Sequence, residues 1–383
     1  MFDESLLEDP EALARADAHG LLRGVAAAGA RVRTALRLAD EAGVGALRPD
    51  GRPRTLLVAG SGPEAAAIAD LLGALGAGSC PVEVLTPTGP TPQQSRWTLP
   101  GWAGPLDLLL LITPQGAEQG LTDLVEQAYR RGCTACAVTP ADAPLAAAVA
   151  QVRGLALPFA GGDNGTGVPS YGGAYGDNAA SDTGAFWALL TPMLALADRL
   201  GVITAPADVL QGVADRLDEV ATRCGPAVAT YSNPAKTLAA ELNDSLPLLW
   251  SQGPLAAAAA RRFASVLGTR SGQPALSAEL PAALTVHGPL QASAAALSAD
   301  PEDFFRDRVE ESPSLRLRIV LLQEAADQSG SAAPAAREQA YAHDTPLSEI
   351  TAAGGNALDV AAELLALTDF AAVYLAVATT ERP

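Results

Sequence analysis

Apolar positions change their spacing along this chain, and the changes mark its elements. Over residues 5–47, Leu and Ala recur every three to four positions in "LLEDPEALARADAHGLLRGVAAAGARVRTALRLADEAG". That period predicts two amphipathic helical stretches, with Gly20 and Gly43 as stops. Short apolar runs bounded by Gly or Pro then take over. "RTLLVAG" (54–60), "PVEVLTPTG" (81–89), "LDLLLLITPQG" (106–116) and "CTACAVTP" (133–140) read as strands. The helical patterns "EAAAIADLLGALG" and "LTDLVEQAYRRG" separate them. Strands alternating with helices predict a parallel sheet covered on both faces.

Residues 161–184, "GGDNGTGVPSYGGAYGDNAASDTG", have no periodicity and read as a flexible surface loop without calcium-loop spacing. Two helices follow, "AFWALLTPMLALADRLG" and "DVLQGVADRLDEVATRCG". The second half then echoes the first. "LVAGSGPEAAAIADLLGAL" (57–75) has a counterpart in "LWSQGPLAAAAARRFASVL" (249–267), each a strand tail, a Gly-Pro turn and an Ala-rich helix. In both, glycine permits the tight turn and proline suits the first helical position. The echo predicts two copies of one α/β unit. A strand at 315–324, a polar Ala-Pro-rich segment at 325–338 and a closing helix at 357–378 complete the chain. The expected divisions are a helical arm (1–50), a first sheet unit (51–160), the loop (161–184) and a second sheet unit (185–383). The closing helix is expected to pack across the second sheet or a partner subunit.

Composition narrows the picture. Hydrophobic residues make up 49% but aromatics only 4%, so the core is built from Ala, Leu and Val. A net charge of −18, with no Lys/Arg-rich run, opposes nucleic acid and anionic membrane. An anionic ligand would need a local pocket. The acidic N-terminus has no apolar signal core, and no run of about 20 apolar residues reads as a membrane span. A soluble, cytoplasmic protein is therefore expected. Cys133 and Cys136 form a C-x-x-C, but they lie in an apolar strand with no second pair or histidine to complete a metal site. They read as two small core residues, and neither a metal nor a cofactor is expected.

Candidate chemistry collects at loops after strands. Gly60-Ser61-Gly62 lies between a strand end and a helix start, where free N–H groups and the helix dipole favour an anion. Thr113-Pro114-Gln115-Gly116 occupies the equivalent place after the third strand. In a parallel sheet such loops converge on one crevice. Gly60, Ser61, Gly62, Thr113 and Gly116 are therefore candidates for holding a phosphate or sugar. Glu118 opens the following helix and is expected to act through its dipole. Lys236, the only lysine, follows an Asn233 cap and Pro234 in "YSNPAKTLAAEL". A cation in that first turn opposes the dipole, so two readings stand: a compact ammonium that meets a small anion or carboxylate, or one lysine surviving an arginine bias.

The duplicated unit, the Gly-Ser-Gly turn, "NPAKTLAAELNDSLPLLWSQGPLAAAAARRFASVLG" and "LTDFAAVYLAVA" (367–378) together resemble the sugar isomerase (SIS) superfamily. The branch resembled is the bifunctional phosphoglucose/phosphomannose isomerases, over roughly residues 50–380. The resemblance implies two doubly wound, three-layer α/β/α units with an N-terminal helical arm and a C-terminal helix, a homodimer, and a hexose phosphate as ligand. In that family a glutamate moves a proton between C1 and C2, a histidine helps open the ring, and Ser/Thr loops hold the phosphate. The glutamate stretch is represented here by Gly268-Thr269-Arg270-Ser271-Gly272, with Thr269 where a base would stand. The histidine segment is represented by Pro281 to His287, with His287 two places late. Of the Ser-x-Ser-Gly-x-Thr phosphate loop only Thr113 and Gly116 match, while Ser61 matches the first serine.

A threonine hydroxyl is no base at neutral pH. Glu279, His287 and His343 are the candidate replacements. The expected function is a sugar-phosphate-binding protein with weakened or lost isomerase chemistry. The alternatives are an active isomerase with a rearranged base and a structural partner subunit.

Overall fold

The computed structural model describes residues 2–159, 161, 183–298, 315–326 and 330–379. Most of the loop expected at 161–184 lies outside the described residues. By packing, the chain forms two compact units: Arg23–Glu219, and Met1–Leu22 together with Val220–Pro383.

The chain opens with α1 (Pro10–Ala16), α2 (Leu21–Ala26) and α3 (Ala28–Glu41), then enters a sheet at β1 (Leu56–Gly60). α4 (Glu64–Leu75), β2 (Val82–Val84), β3 (Leu108–Ile112), α5 (Gln119–Arg130), β4 (Thr134–Thr139), α6 (Pro144–Gln151) and β5 (Leu155–Pro158) follow. α7 (Ala185–Arg199) and α8 (Ala207–Arg223) come after them. The strands are all parallel in the order β2-β1-β3-β4-β5. Leu57, Ala59, Leu109, Leu111, Ala135 and Ala137 face one way and bury against Leu121, Leu124, Val125, Leu145 and Val149 of α5 and α6. α3, α4 and α7 lie against the sheet or one another in the same unit, giving the three layers the alternation predicted.

The remaining elements are α9 (Pro234–Leu242), β6 (Leu246–Gln252), α10 (Pro254–Arg270), β7 (Leu276–Glu279), α11 (Ala282–Val286), α12 (Gly288–Ser298), β8 (Leu317–Gln323), α13 (Ala333–Ala342), β9 (Leu347–Thr351) and α14 (Ala357–Thr379). This second sheet is again parallel, in the order β7-β6-β8-β9. One face carries Leu248, Trp250, Ile319 and Leu321 against Ala283 of α11 and Ala333, Ala336 and Ala340 of α13. α10 covers the other face, with α14 packed on α10 and α9. α14 has the length and composition of a membrane span, contrary to the expectation that no segment does, but its apolar window is wholly buried within this unit. Its two buried acids are both paired, Glu363 with Arg223 at 2.8 Å and Asp369 with Arg262 of α10.

The unit boundaries differ from those expected along the chain. Residues 1–22 join the second sheet, because Leu7 and Leu13 are fully buried and the Asp3 N–H donates to Ala378 O at 2.9 Å. Helices α3 and α7 belong with the first sheet. They pack on each other, and the Arg199 guanidinium donates to Leu47 O at 2.7 and 2.9 Å.

Cys133 and Cys136 are buried free thiols, as two core residues should be. Cys133 belongs to the cluster under α5 and donates to Asp107 O at 3.2 Å, while Cys136 lies outside that cluster. Burial pushes their thiols up from 9.0, to about 11 and about 12. A folded-state value above the unfolded one gives stability that is complete below pH 9 and lost as pH rises toward those values. Urea unfolding between pH 8 and 10.5 should therefore show a falling free energy, by up to about 1.4 kcal/mol per pH unit for each thiol. Cys136→Ala should flatten that slope; an unchanged slope would contradict the assignment.

Candidate functional site

In the order β2-β1-β3-β4-β5 the chain reverses its direction of growth between β1 and β3, and loops at the carboxyl ends of these neighbours open a crevice. Gly60 ends β1 opposite Ile112 of β3. A Cβ on Gly60 would lie 2.1 Å from the Ile112 carbonyl oxygen, so only glycine lets the strand ends approach this closely. Ser61 and Thr113, one residue beyond each strand, are thereby brought together with Oγ and Oγ1 3.4 Å apart. Thr113 is fully buried, and its Oγ1 accepts from the N–H groups of Gln115 and Gly116 at 3.2 and 3.1 Å. Gly116 turns this loop with φ +68°, and an added Cβ would collide with Thr139 Oγ1.

What lies between the two hydroxyls is the carboxylate of Glu118. Ser61 Oγ donates to its Oε1 at 2.5 Å and Thr113 Oγ1 donates to the same oxygen at 2.6 Å. Its Oε2 is buried without a hydrogen-bond partner. Glu118 is the N-cap residue of α5, yet its side chain makes no cap bond to that helix. The sequence expectation of a dipole role is thus corrected: the carboxylate turns away from its own helix and into the loop cluster. In the register that matches Thr113 and Gly116, Glu118 stands at the closing threonine of the phosphate loop.

The second sheet has its corresponding reversal between β6 and β8. There Gly253, with φ +99°, turns from β6 into α10, and Glu324, just past β8, accepts the N–H groups of Leu255 and Ala256 at 2.6 and 3.3 Å. Both reversals therefore carry a glutamate of the chain itself. No sequence motif marks Glu324; what the two share is an acid in the loop after the strand that pairs with the strand leading into the Gly-Pro turn.

The candidate catalytic residues do not assemble. Glu279 ends β7 exposed and pairs at 2.9 Å with Arg261 of α10, beside a cavity of about 110 Å³ lined also by Ser251, Ala257 and Ser277. His287 is buried after α11, where its Nδ1 accepts the Trp250 indole N–H at 2.8 Å. An accepting Nδ1 is the neutral tautomer protonated at Nε2, and burial lowers the imidazole's pKa from its ordinary value. Arg261 and Trp250 belong to opposite faces of the sheet. His343 caps the carboxyl end of α13, which in a parallel unit lies at the amino ends of the strands. Thr269, in the last turn of α10, bonds back to Ser265 O at 2.9 Å and is at that end too. Among the described residues no group of three His, Cys, Asp or Glu could hold a metal ion.

Lys236, a candidate for binding the anion, is instead buried with its ammonium held by three backbone carbonyls. Its side chain is 1% exposed, and its ammonium donates to Leu7 O, Pro226 O and Val228 O at 2.5, 2.7 and 2.8 Å. The Tyr374 ring lies 5.6 Å from Nζ. Three tetrahedral donors meet three converging carbonyls, which a planar guanidinium could not do. Burial pulls its pKa below the ordinary lysine value, and Glu8 acts the other way.

Residues 231–382 match the family described as the bacterial phospho-glucose isomerase C-terminal SIS domain. No curated protein sequence matches the chain. Among solved structures, a presumed phosphosugar isomerase from Silicibacter pomeroyi DSS-3 is 17% identical, with a TM-score of 0.59 over 94% of this chain and 97% of that one. The C-terminal domain of glucosamine-fructose-6-phosphate aminotransferase from Francisella tularensis is 11% identical, with a TM-score of 0.53 over 94% and 97%. At these identities the likenesses are of fold.

Replacing Lys236 by Met removes a buried cation and leaves three carbonyls without their donor. Hydrogen bonds to charged groups contribute about 1.5–3 kcal/mol each, so urea denaturation should show a loss of about 3 kcal/mol or more. Lys236→Arg should also destabilise. Wild-type stability in both variants would refute the clamp.

Proposed function

We propose, from the match of residues 231–382 to an SIS domain and the likeness of the fold to phosphosugar isomerases, that this chain binds a sugar phosphate and has weakened or lost isomerase chemistry. The observation that carries the reading is the convergence of the Ser61 and Thr113 hydroxyls on one anionic oxygen at the β1/β3 reversal. Two hydroxyl donors at the carboxyl ends of a parallel sheet suit a phosphoryl oxygen. The weakened chemistry is supported by the separation of the candidate acid and base. Glu279 is held by Arg261 on one sheet face, and His287 is held by Trp250 on the other. Losing positioned acid–base groups typically removes about 10²–10⁴-fold each. In this reading the protein works as a cytoplasmic homodimer.

One observation favours the second reading, an aldose–ketose isomerase with a rearranged base: Glu118 presents a carboxylate with an unpartnered oxygen at the same crevice.

Deuterium exchange separates the two. The purified chain is incubated with glucose 6-phosphate or mannose 6-phosphate in deuterium oxide, and the C2 proton is followed by NMR. The binding reading expects a raised melting temperature at millimolar ligand and no exchange. Exchange that disappears in Glu118→Gln would establish the isomerase instead, and the absence of both effects would leave a structural subunit.

A further inference from the structure

On the reading of Ser61 and Thr113 as an anion-binding pair, we infer that Glu118 is a tethered competitor, whose carboxylate occupies the place of an incoming phosphoryl oxygen and must swing out for a sugar phosphate to bind. Each hydroxyl has one proton, and both are donated to Glu118 Oε1. The nearby N–H groups of Gln115 and Gly116 point at Thr113 Oγ1. An arriving anion therefore finds these four donors already engaged, and meets a like charge at contact distance. Displacement rather than addition is the only way in.

The carboxylate is also placed to leave. Glu118 is half-buried, its Oε2 has no partner, and it makes no bond to the N–H groups of the helix it begins. Two side-chain hydroxyls alone hold it, and water would satisfy both its oxygens outside. Glu324 shows the contrast. It occupies the corresponding reversal of the second sheet, but two main-chain N–H groups of a 17-residue helix bind it, which makes it a fixed cap. With Glu118 gone, the two hydroxyls and the uncapped start of the 12-residue α5 would face the anion.

The test measures binding of glucose 6-phosphate, inorganic phosphate and, as a neutral control, glucose, by titration calorimetry on the full chain. Wild type is compared with Glu118→Ala, Glu118→Gln and the double variant Ser61→Ala/Glu118→Ala, each checked for native melting. Glu118→Ala should bind both phosphates at least tenfold more tightly with glucose unchanged, and the double variant should lose the gain. Glu118→Gln, which keeps the side-chain volume without the charge, should move the same way by less. If wild type and Glu118→Ala bind glucose 6-phosphate equally, the competitor is overturned while the sugar-phosphate reading stands. Weaker binding by Glu118→Ala would make Glu118 a ligand contact, and an equal gain for glucose would make it a steric cover; either overturns the inference. If no folded variant binds a phosphate, the inference falls together with the reading beneath it.

Discussion

A carboxylate oxygen that accepts two hydroxyl protons at the ends of adjacent parallel strands is the constraint on which the functional reading rests. It exists because β1 and β3 lie side by side in register, with Gly60 letting their ends close to contact. Parallel strands deliver every loop of one type to the same edge of the sheet, and helix N-termini follow them there. Such an edge is electropositive in its main chain. In this chain, whose net charge is −18, the edge is answered by the protein's own acids, Glu118 in one unit and Glu324 in the other. Anion recognition and internal charge balance compete for the same few donors.

The second unit is organised around a different charge. Lys236 gathers the N-terminal segment through Leu7 O and the 226–228 loop through two further carbonyls, under the ring of Tyr374. Tyr374 in turn donates to Cys224 O at 2.7 Å, and Asn233 both caps α9 and donates to Gly225 O. Residues more than two hundred apart in sequence thus share one buried polar knot. It also explains why residues 1–22 fold with the end of the chain rather than with the sheet that follows them.

The central strands were legible because they bury both faces and so read as unbroken apolar runs: β1, β3, β4 and β8 each fall inside a run named from the sequence. Of the edges, β2 falls inside a named run, but β7 and β9 expose much of their length and carry the mixed sequences "LSAE" and "LSEIT", and β5 is an apolar stretch of only four residues, "LALP", after a short helix. α13 begins inside the polar, Ala-Pro-rich segment 325–338 and runs past it, and an Ala-rich helix with a proline in its first turn has that composition. The loop residues Ser61, Thr113 and Gly116 could be placed by their position after strands. The direction of the Glu118 side chain could not, since a residue that starts a helix can serve its own N–H groups or a neighbour's hydroxyls, and only the packed strand ends decide between them. Lys236 was visible as an exception, but its three carbonyls come from parts of the chain that sequence spacing does not connect.

The separation of Glu279 from His287 has a simple geometric origin. The two are eight positions apart, close enough in sequence to invite pairing. Between them, however, the chain leaves β7 and enters α11, so that Glu279 stays with α10 on one side of the sheet while the imidazole packs onto Trp250 on the other. The two side chains stand on opposite faces of the sheet, and a rotamer change cannot carry a side chain through a layer of paired backbone. A proton shuttle needs its acid and base in one crevice, within hydrogen-bond reach of the same substrate atoms. The carboxylate at the β1/β3 reversal is Glu118, and it is engaged with the hydroxyls that would hold the phosphate. The same residue therefore decides both questions about this fold: a negative charge at that point obstructs the anion while it supplies a base beside the two hydroxyls.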